Sequence, residues 1–408
     1  MNKLIFVISA ILISKSVYTQ TNIDSLYSNA RELAFSQNYT TSRILCYQIL
    51  EINPENTDTK LLLAKTYAWE LKTDSAQFIL DNILYSDSAN YEAIDLSISN
   101  QLWAKNYDKA LDFCKLGLKF YPEDENILLQ KAKILIIQEQ YAEAIKILEK
   151  ILELNPDNEE ARDLLNKIKY ILAKNKISAY YSISIFDDSE TKPWHLAYLQ
   201  YLRKTKIGPV IARMSFGKRY EKYGWQYETE AYPKLSERNY MYLNFGYSPS
   251  VIFPRMRFGA EFYHSFPCDF ETGIGYRYLI YELSGVSIFT GYLGKYLGNY
   301  WISSHTYITP YNLKMSVSEF LIVRKYFAEP ENYLGFMVGY GISPDTRINL
   351  LINEYNPSLN SLICKLSYNF RFKTFWILNT GIAYTKEEFF TDKFRNIYTL
   401  EIELSRVF

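Results

Sequence analysis

Charge of one sign is missing from this chain. Lys plus Arg and Asp plus Glu each number 45 among the 408 residues, so the formal net charge is zero. The basic footprint of a nucleic-acid-binding protein is therefore absent. Histidine is scarce, with three residues, and so is cysteine, with four: Cys46, Cys114, Cys268 and Cys364. Neither recurs at a metal-ligand or redox spacing, and no nucleophile elbow or phosphate-cradling glycine loop occurs, so no cofactor is implied. Long apolar runs are also lacking, since nothing after Ile13 approaches the roughly 18 residues of a membrane helix. If this chain enters a membrane, it must do so as a closed barrel, the other fold that pairs every backbone group in hydrocarbon.

What is plentiful is tyrosine, with 38 residues, 27 of them after Ile177. That density fits membrane-interface girdles, where the ring is buried and the hydroxyl stays wet. At the N-terminus, Lys3 precedes the apolar run Leu4 to Ile13, followed by small and polar residues through Val17, Tyr18 and Thr19. Residues 1–19 thus read as a secretory signal peptide, cut near Thr19 to Gln20 with no cysteine beside it to carry a lipid anchor.

Residues 22–175 repeat. Pro54, Ser88, Pro122 and Pro156 recur every 34 residues, and other columns keep step. Ser42, Ala76, Ala110 and Ala144 are small, Cys46, Leu80, Cys114 and Leu148 are packing residues, and Tyr39, Thr73, Tyr107 and Tyr141 mark a turn. Each unit is expected to be a helix pair in which the small residues permit close approach and the proline ends the second helix. The two cysteines fall in the packing column, as small core residues do. With Asn106-Tyr107-Asp108-Lys109-Ala110 and Gln140-Tyr141-Ala142-Glu143-Ala144 as its clearest units, this half resembles the tetratricopeptide (TPR) family, which has this period. Residues 158–173 read as a terminal helix covering the last apolar face. The resemblance implies an all-α solenoid of about four repeats with a concave groove for a protein partner, or alternatively a spacer or platform.

From Ile177 the period changes to two. Tyr398, Leu400, Ile402, Leu404 and the terminal Phe408 fall on one side of a strand, and Thr399, Glu401, Glu403 and Ser405 on the other. Val210, Ala212, Met214 and Phe216 alternate in the same way with Ile211, Arg213, Ser215 and Gly217, as do Met256, Phe258, Ala260 and Phe262 with Arg257, Gly259 and Glu261. One face suits lipid and the other water, the pattern of an antiparallel transmembrane β-barrel over residues 177–408. Aromatics recur on the apolar face throughout, which favours the barrel over a soluble β-sandwich. Twelve or fourteen strands are compatible with the pattern, and fourteen segments are counted, starting near Ile177, Trp194, Gly208, Lys222, Arg238, Met256, Asp269, Gly285, Asn299, Leu313, Asn332, Leu359, Thr374 and Arg395. The longest links, Asp187–Pro193, Ser248–Arg255, Ser343–Ser358 and Lys386–Phe394, all follow odd-numbered strands and so share one side. Long loops face outward in bacterial barrels, which would put the repeats in the periplasm.

The first strand, Tyr181-Ser182-Ile183-Ser184-Ile185-Phe186-Asp187, the following Pro193-Trp194-His195 and the spacing to Phe408 resemble the YaiO-type outer-membrane β-barrel family. The last strand, with Leu400, Ile402, Leu404 and Phe408, resembles the insertion signal read by the barrel assembly machinery, with Arg406 where an aromatic is usual. An arginine at the rim can snorkel to headgroups.

Arg213, Glu228, Glu230, Glu261, Glu271, Arg277, Lys314, Lys365, Arg371, Glu401 and Glu403 read as a mixed-sign, water-facing lumen. Within it, Arg213, Glu228, Glu230 and Arg277, with Tyr240 and Tyr242 to stack on sugar rings, are the candidate substrate path. The arrangement is similar to exopolysaccharide exporters, in which repeats precede a barrel. The expectation is a non-enzymatic outer-membrane protein that conducts or exports a polysaccharide or other envelope polymer and engages a periplasmic protein through the repeats. Two alternatives remain. One is a barrel enzyme acting on envelope lipid or glycan, built on His264 beside Ser265 or His305 beside Ser304, or on Glu228 with Glu230. The other is a structural anchor with a plugged barrel.

Overall fold

The computed structural model describes residues 23–188, 191–219, 221–282, 284–311, 314–341, 361–390 and 393–408. The expected signal peptide and the link Ser343–Ser358 lie outside them. The chain divides into two compact units, one through Ile168 and one from Lys169 to Phe408.

Nine helices are found among the described residues, beginning with α1 at residues 23–35. They continue as α2 (Tyr39–Ile52), α3 (Thr57–Trp69), α4 (Thr73–Ser86), α5 (Tyr91–Trp103), α6 (Tyr107–Phe120), α7 (Glu125–Ile137), α8 (Tyr141–Leu154) and α9 (Glu159–Leu172). Each sequence column takes one structural role. Ser42, Ala76, Ala110 and Ala144 are fully buried, as are Cys46, Leu80, Cys114 and Leu148 behind them. Tyr39, Thr73, Tyr107 and Tyr141 are the first residues of α2, α4, α6 and α8. The turn itself is made two residues earlier by Gln37, Leu71, Lys105 and Glu139, all left-handed with φ of 64, 57, 60 and 58°. A further column starts the odd helices: Asn56, Asn90, Asp124 and Asn158 accept the N–H of Thr59, Ala93, Ile127 and Ala161 at 2.9–3.0 Å. Such caps satisfy a donor that the first helical turn leaves open. Leu165 and Ile168 of α9 complete the cluster around Leu128 and Leu148.

The second unit is a closed antiparallel barrel of fourteen strands, each paired with its sequence neighbours and β1 with β14. The strands are β1 (Asn175–Phe186), β2 (Trp194–Lys204), β3 (Pro209–Arg219), β4 (Lys222–Ala231), β5 (Asn239–Tyr247), β6 (Met256–Phe266), β7 (Phe270–Ile280), β8 (Gly285–Leu297), β9 (Tyr300–Tyr311), β10 (Lys314–Tyr326), β11 (Tyr333–Tyr340), β12 (Ser361–Lys373), β13 (Trp376–Phe390) and β14 (Lys393–Val407). Closure runs from Lys176 opposite Val407 to Phe186 opposite Ile397. Inside that seam, hydroxyls pair at 2.8 Å, Ser178 with Ser405 and Ser184 with Thr399.

Period-2 alternation carries polar residues inward and apolar ones outward. Tyr398, Leu400, Ile402, Leu404 and Phe408 are 40–54% exposed on the outer face, while Thr399 and Ser405 are buried inside. Leu199, Tyr223, Trp225, Phe245, Phe289, Leu293, Phe336 and Leu366 continue the exposed apolar surface around the cylinder. A patch of this extent far exceeds what a water-soluble monomer tolerates, and hydrocarbon is the solvent it matches. One expected link is corrected. Lys386–Phe394 is mainly strand, because β13 runs to Phe390 and β14 begins at Lys393. Within it, Glu387 makes a buried cross-strand pair with Arg395, the residue just past its end, at 2.8 Å.

Candidate functional site

The inward side chains of β2–β7 meet in a row of ion pairs. Arg213 on β3 reaches Glu230 at 2.6 Å and Glu228 at 3.6 Å on β4, and its Nε donates to Gln200 at 2.8 Å. Arg257 on β6 binds the other side of Glu228 at 3.0 Å, and Arg277 on β7 binds Glu261 at 2.5 Å. These pairs are nearly dry, with side-chain exposures of 1–10%. Small neighbours make room for them: a Cβ on Gly246 would lie 2.6 Å from Arg257 Cγ, and one on Gly275 would lie 2.3 Å from Glu261 Cγ. Farther round, Lys365 pairs with Glu401 and Tyr198 donates to Glu403 at 3.0 Å.

These groups wall a polar chamber of about 500 Å³ inside the barrel. Its lining includes Arg213, Glu230, Tyr242 and Arg277 from the candidate path, together with Arg257, Lys365, Glu401 and Glu403. Glu228 lies against Arg213 and Arg257. Tyr240 stacks on Tyr263 with centroids 4.7 Å apart and donates to Glu271 at 3.0 Å. Inward alternation alone could have flagged Arg257, Tyr198 and Tyr263. The side chain of Lys314 lies outside the described residues. A second stacked pair, Tyr180 on Tyr198 at 4.5 Å, carries the Arg213 guanidinium over its face at 5.3 Å. Arg277 sits over Tyr242 at 5.5 Å. Flat aromatic faces thus alternate with hydrogen-bonding charges of both signs around the chamber.

The chamber ends at an apolar ceiling. Leu196 and Tyr180, both in its lining, pack with Ile252 and Phe253 from the β5–β6 connection. That connection, residues 248–255, folds into the barrel: Ile252 and Phe253 are 3% and 4% exposed. Its seat is glycine on two strands, since a Cβ on Gly217 would be 3.0 Å from both apolar side chains and one on Gly224 2.4 Å from Ile252. The β4–β5 ladder covers only Tyr227–Ala231. Beyond it, the Trp225 N–H donates to Ser250 Oγ at 3.0 Å and Ser248 Oγ donates to the Trp225 carbonyl at 2.6 Å. Elsewhere around the interior, Leu279, Val286, Ile288, Tyr307, Phe320 and Ile363 form one apolar cluster, and Phe186, Trp194 and Ile397 another.

The histidine–serine neighbours are not brought together. Adjacent strand residues face opposite sides, and Ser265 turns to Glu271 while His264 bonds Asn239. Likewise Ser304 bonds Glu319, and His305 packs edge-on against Tyr292. Glu228 and Glu230 are each held by an arginine. Among the described residues no cluster fit to hold a metal is found.

On the helical unit, polar contacts step across successive odd helices: Lys65 to Glu92, Asp95 to Asn126 and Gln130, and Lys133 to Glu160 at 2.6 Å. Burial pushes the Tyr91 hydroxyl up from its ordinary range. The Tyr47 hydroxyl is pushed up to about 12 by burial and by its bond to Tyr67.

Residues 174–346 match the family model of the YaiO membrane β-barrel domain, and residues 102–168 match a tetratricopeptide repeat. Both resemblances seen in the sequence are thereby borne out, and neither family is enzymatic. Among solved structures, a tetratricopeptide repeat protein from Parabacteroides merdae is 18% identical over 36% of this chain, with a TM-score of 0.34. The chain covers 60% of that protein's length. Pseudomonas aeruginosa PilF is 20% identical over 37% of this chain and 70% of its own, with a TM-score of 0.32. A bacterial polysaccharide outer membrane secretin is 9% identical over 58% of this chain and 99% of its own, with a TM-score of 0.41. At these levels the structural likenesses bear no functional argument.

Proposed function

For a chain that joins a tetratricopeptide repeat to a YaiO membrane β-barrel domain, we propose a non-enzymatic outer-membrane role in which the barrel chamber takes a segment of a polysaccharide and the repeats bind a periplasmic protein. Barrel insertion would be directed by the outer face of β14, with Leu400, Ile402, Leu404 and Phe408 read by the barrel assembly machinery. The strand parity supports the orientation: Asn175 and Phe408 exchange backbone hydrogen bonds at 2.9 Å, so both ends of the barrel sit at one rim. The repeats would then lie on the periplasmic side, with the β5–β6 connection on the other.

The observation that carries this reading is the tyrosine-walled, mixed-charge chamber of about 500 Å³, a volume suited to a few sugar units. Titration of the detergent-solubilised full chain with maltohexaose in a calorimeter tests it. Saturable binding is expected, weakened about fivefold or more by Tyr242→Ala, which removes one stacking face. Absence of binding at millimolar sugar would sink the chamber reading. The apolar ceiling favours a second reading, a closed anchor for the repeats, which bilayer conductance separates from a conduit.

A further inference from the structure

In the strand rows at and next to the seat of the β5–β6 connection lie three buried polar groups outside the ion pairs. Ser182 Oγ, Ser215 Oγ and Gln226 Nε2 have no hydrogen-bond partner among the described residues, and their residues are 0–1% exposed. The register sets Ser215 and Gln226 side by side, with Ser182 two strands along, in the row of Leu196, Gly217 and Gly224. Ser215 lies opposite Gln226 across the β3–β4 ladder, one inward position from the facing Gly217 and Gly224 that seat Ile252. Ser182 lies opposite Leu196, which packs against Ile252 and Phe253. Two forces therefore oppose each other at this spot. Burial of Ile252 and Phe253 holds the connection in, while each unbonded polar group favours uncovering, because a buried donor or acceptor without a partner bears its full desolvation cost. On the β4 side the connection is latched through the serine hydroxyls of Ser248 and Ser250 where a backbone ladder would otherwise run.

We propose that Ser182, Ser215 and Gln226 form a second binding subsite for a hydroxyl-bearing sugar unit, uncovered when residues 248–255 swing off the Gly217–Gly224 seat. The subsite continues the chamber past Leu196, so a chain seated on Tyr180 and Tyr198 extends into it. In the covered state the connection is a plug. This inference rests on the sugar-binding reading of the chamber, and it adds the route by which the chamber meets the far side of the membrane.

Planar-bilayer recordings of the full chain, with maltohexaose as the probe, test it. Ile252→Asp with Phe253→Asp places two charges in the apolar seat. Their expected effect is at least a tenfold rise in the fraction of time the channel conducts. A tether made by Ile252→Cys and Gly224→Cys, in a chain whose Cys268 is replaced by serine, is expected to hold the channel shut until a reductant is added. In the opened double variant, maltohexaose should block the current, and adding Ser215→Ala and Gln226→Leu should weaken that block about fivefold. Heat-modifiable migration on gels checks that each variant is folded. Unchanged conductance in the folded Asp variant, with calorimetric sugar binding intact, overturns the plug while leaving the chamber reading standing. An open channel that maltohexaose never blocks overturns the subsite. If calorimetric binding is also lacking, the chamber reading goes with it.

Discussion

Gly117 stands in a column whose other members are Ile49, Ile83 and Ile151, and Ile127 in one that otherwise holds Thr59, Ala93 and Ala161. The structure accounts for both departures at once: a Cβ on Gly117 would lie 2.8 Å from Ile127 Cδ1, so the third repeat has moved its bulk from one helix to the next. Gly117→Ala is expected to cost about 1–3 kcal/mol by overpacking, and Ile127→Ala about 2–5 kcal/mol by leaving a cavity. Gly117→Ile with Ile127→Ala reproduces the fourth repeat and should cost clearly less than the sum of its parts, read from urea melts of the helical signal. Burial also governs the thiols. Cys46 and Cys114 are buried and their thiols are pushed up to about 11 and about 12, whereas Cys268 is exposed. At about pH 8 a water-soluble maleimide should modify Cys268 rapidly and spare the other two, as mass spectrometry would show. The Glu70 carboxyl is held below its ordinary value, first by the Lys72 ammonium and then by Arg43. A group whose folded pKa is lowered stabilises the fold above its ordinary value of 4.5, and that contribution disappears as pH falls through the folded pKa. Melting of the helical signal between about pH 7 and pH 3 should therefore flatten on its acid side in Glu70→Gln.

At the scale of the element, a strand had to be read as two faces, and most of it was legible. Period-2 alternation in the sequence puts Arg213, Glu228, Glu230, Tyr240, Tyr242 and Arg277 on the inner face, because the alternation of side chains is fixed by backbone geometry. The fourteen strands followed from the same rule. Partnership was not legible, since register decides that Arg257 shares Glu228 with Arg213 and that Tyr180 meets Tyr198. The inward fold of Ser248–Arg255 was equally hidden, although the signal existed: Val251, Ile252 and Phe253 lie between Pro249 and Pro254 in a stretch too apolar for an exposed loop. The N-cap column escaped because Asn56, Asn90, Asp124 and Asn158 are as common in turns as in caps. The two faces of one strand should respond differently. On β14, Ile402→Lys puts a charge on the outer wall and is expected to destabilise the barrel by about 2–4 kcal/mol if it lies near the bilayer midplane. On β3, Arg213→Ala strips the buried Glu228 and Glu230 of their shared partner, with an expected loss of about 3–5 kcal/mol. Urea midpoints in lipid vesicles would report both, and an inert Ile402→Lys would contradict the assignment of that face.

For the whole molecule, one solvent question decides the rest, since chamber, plug and insertion strand all presuppose a cylinder bathed in hydrocarbon. Two tryptophans bracket it: Trp225 is 43% exposed on the outer wall of β4, and Trp194 is 4% exposed inside β2. The most direct test uses the full chain reconstituted into vesicles whose acyl chains carry bromine, with every tryptophan but one replaced by phenylalanine. Bromine quenches indole only on contact, so fluorescence of the variant retaining Trp225 should fall strongly while that of the variant retaining Trp194 changes little. Equal, weak quenching of both, or a chain that stays monomeric in water without detergent, would contradict a membrane-spanning barrel.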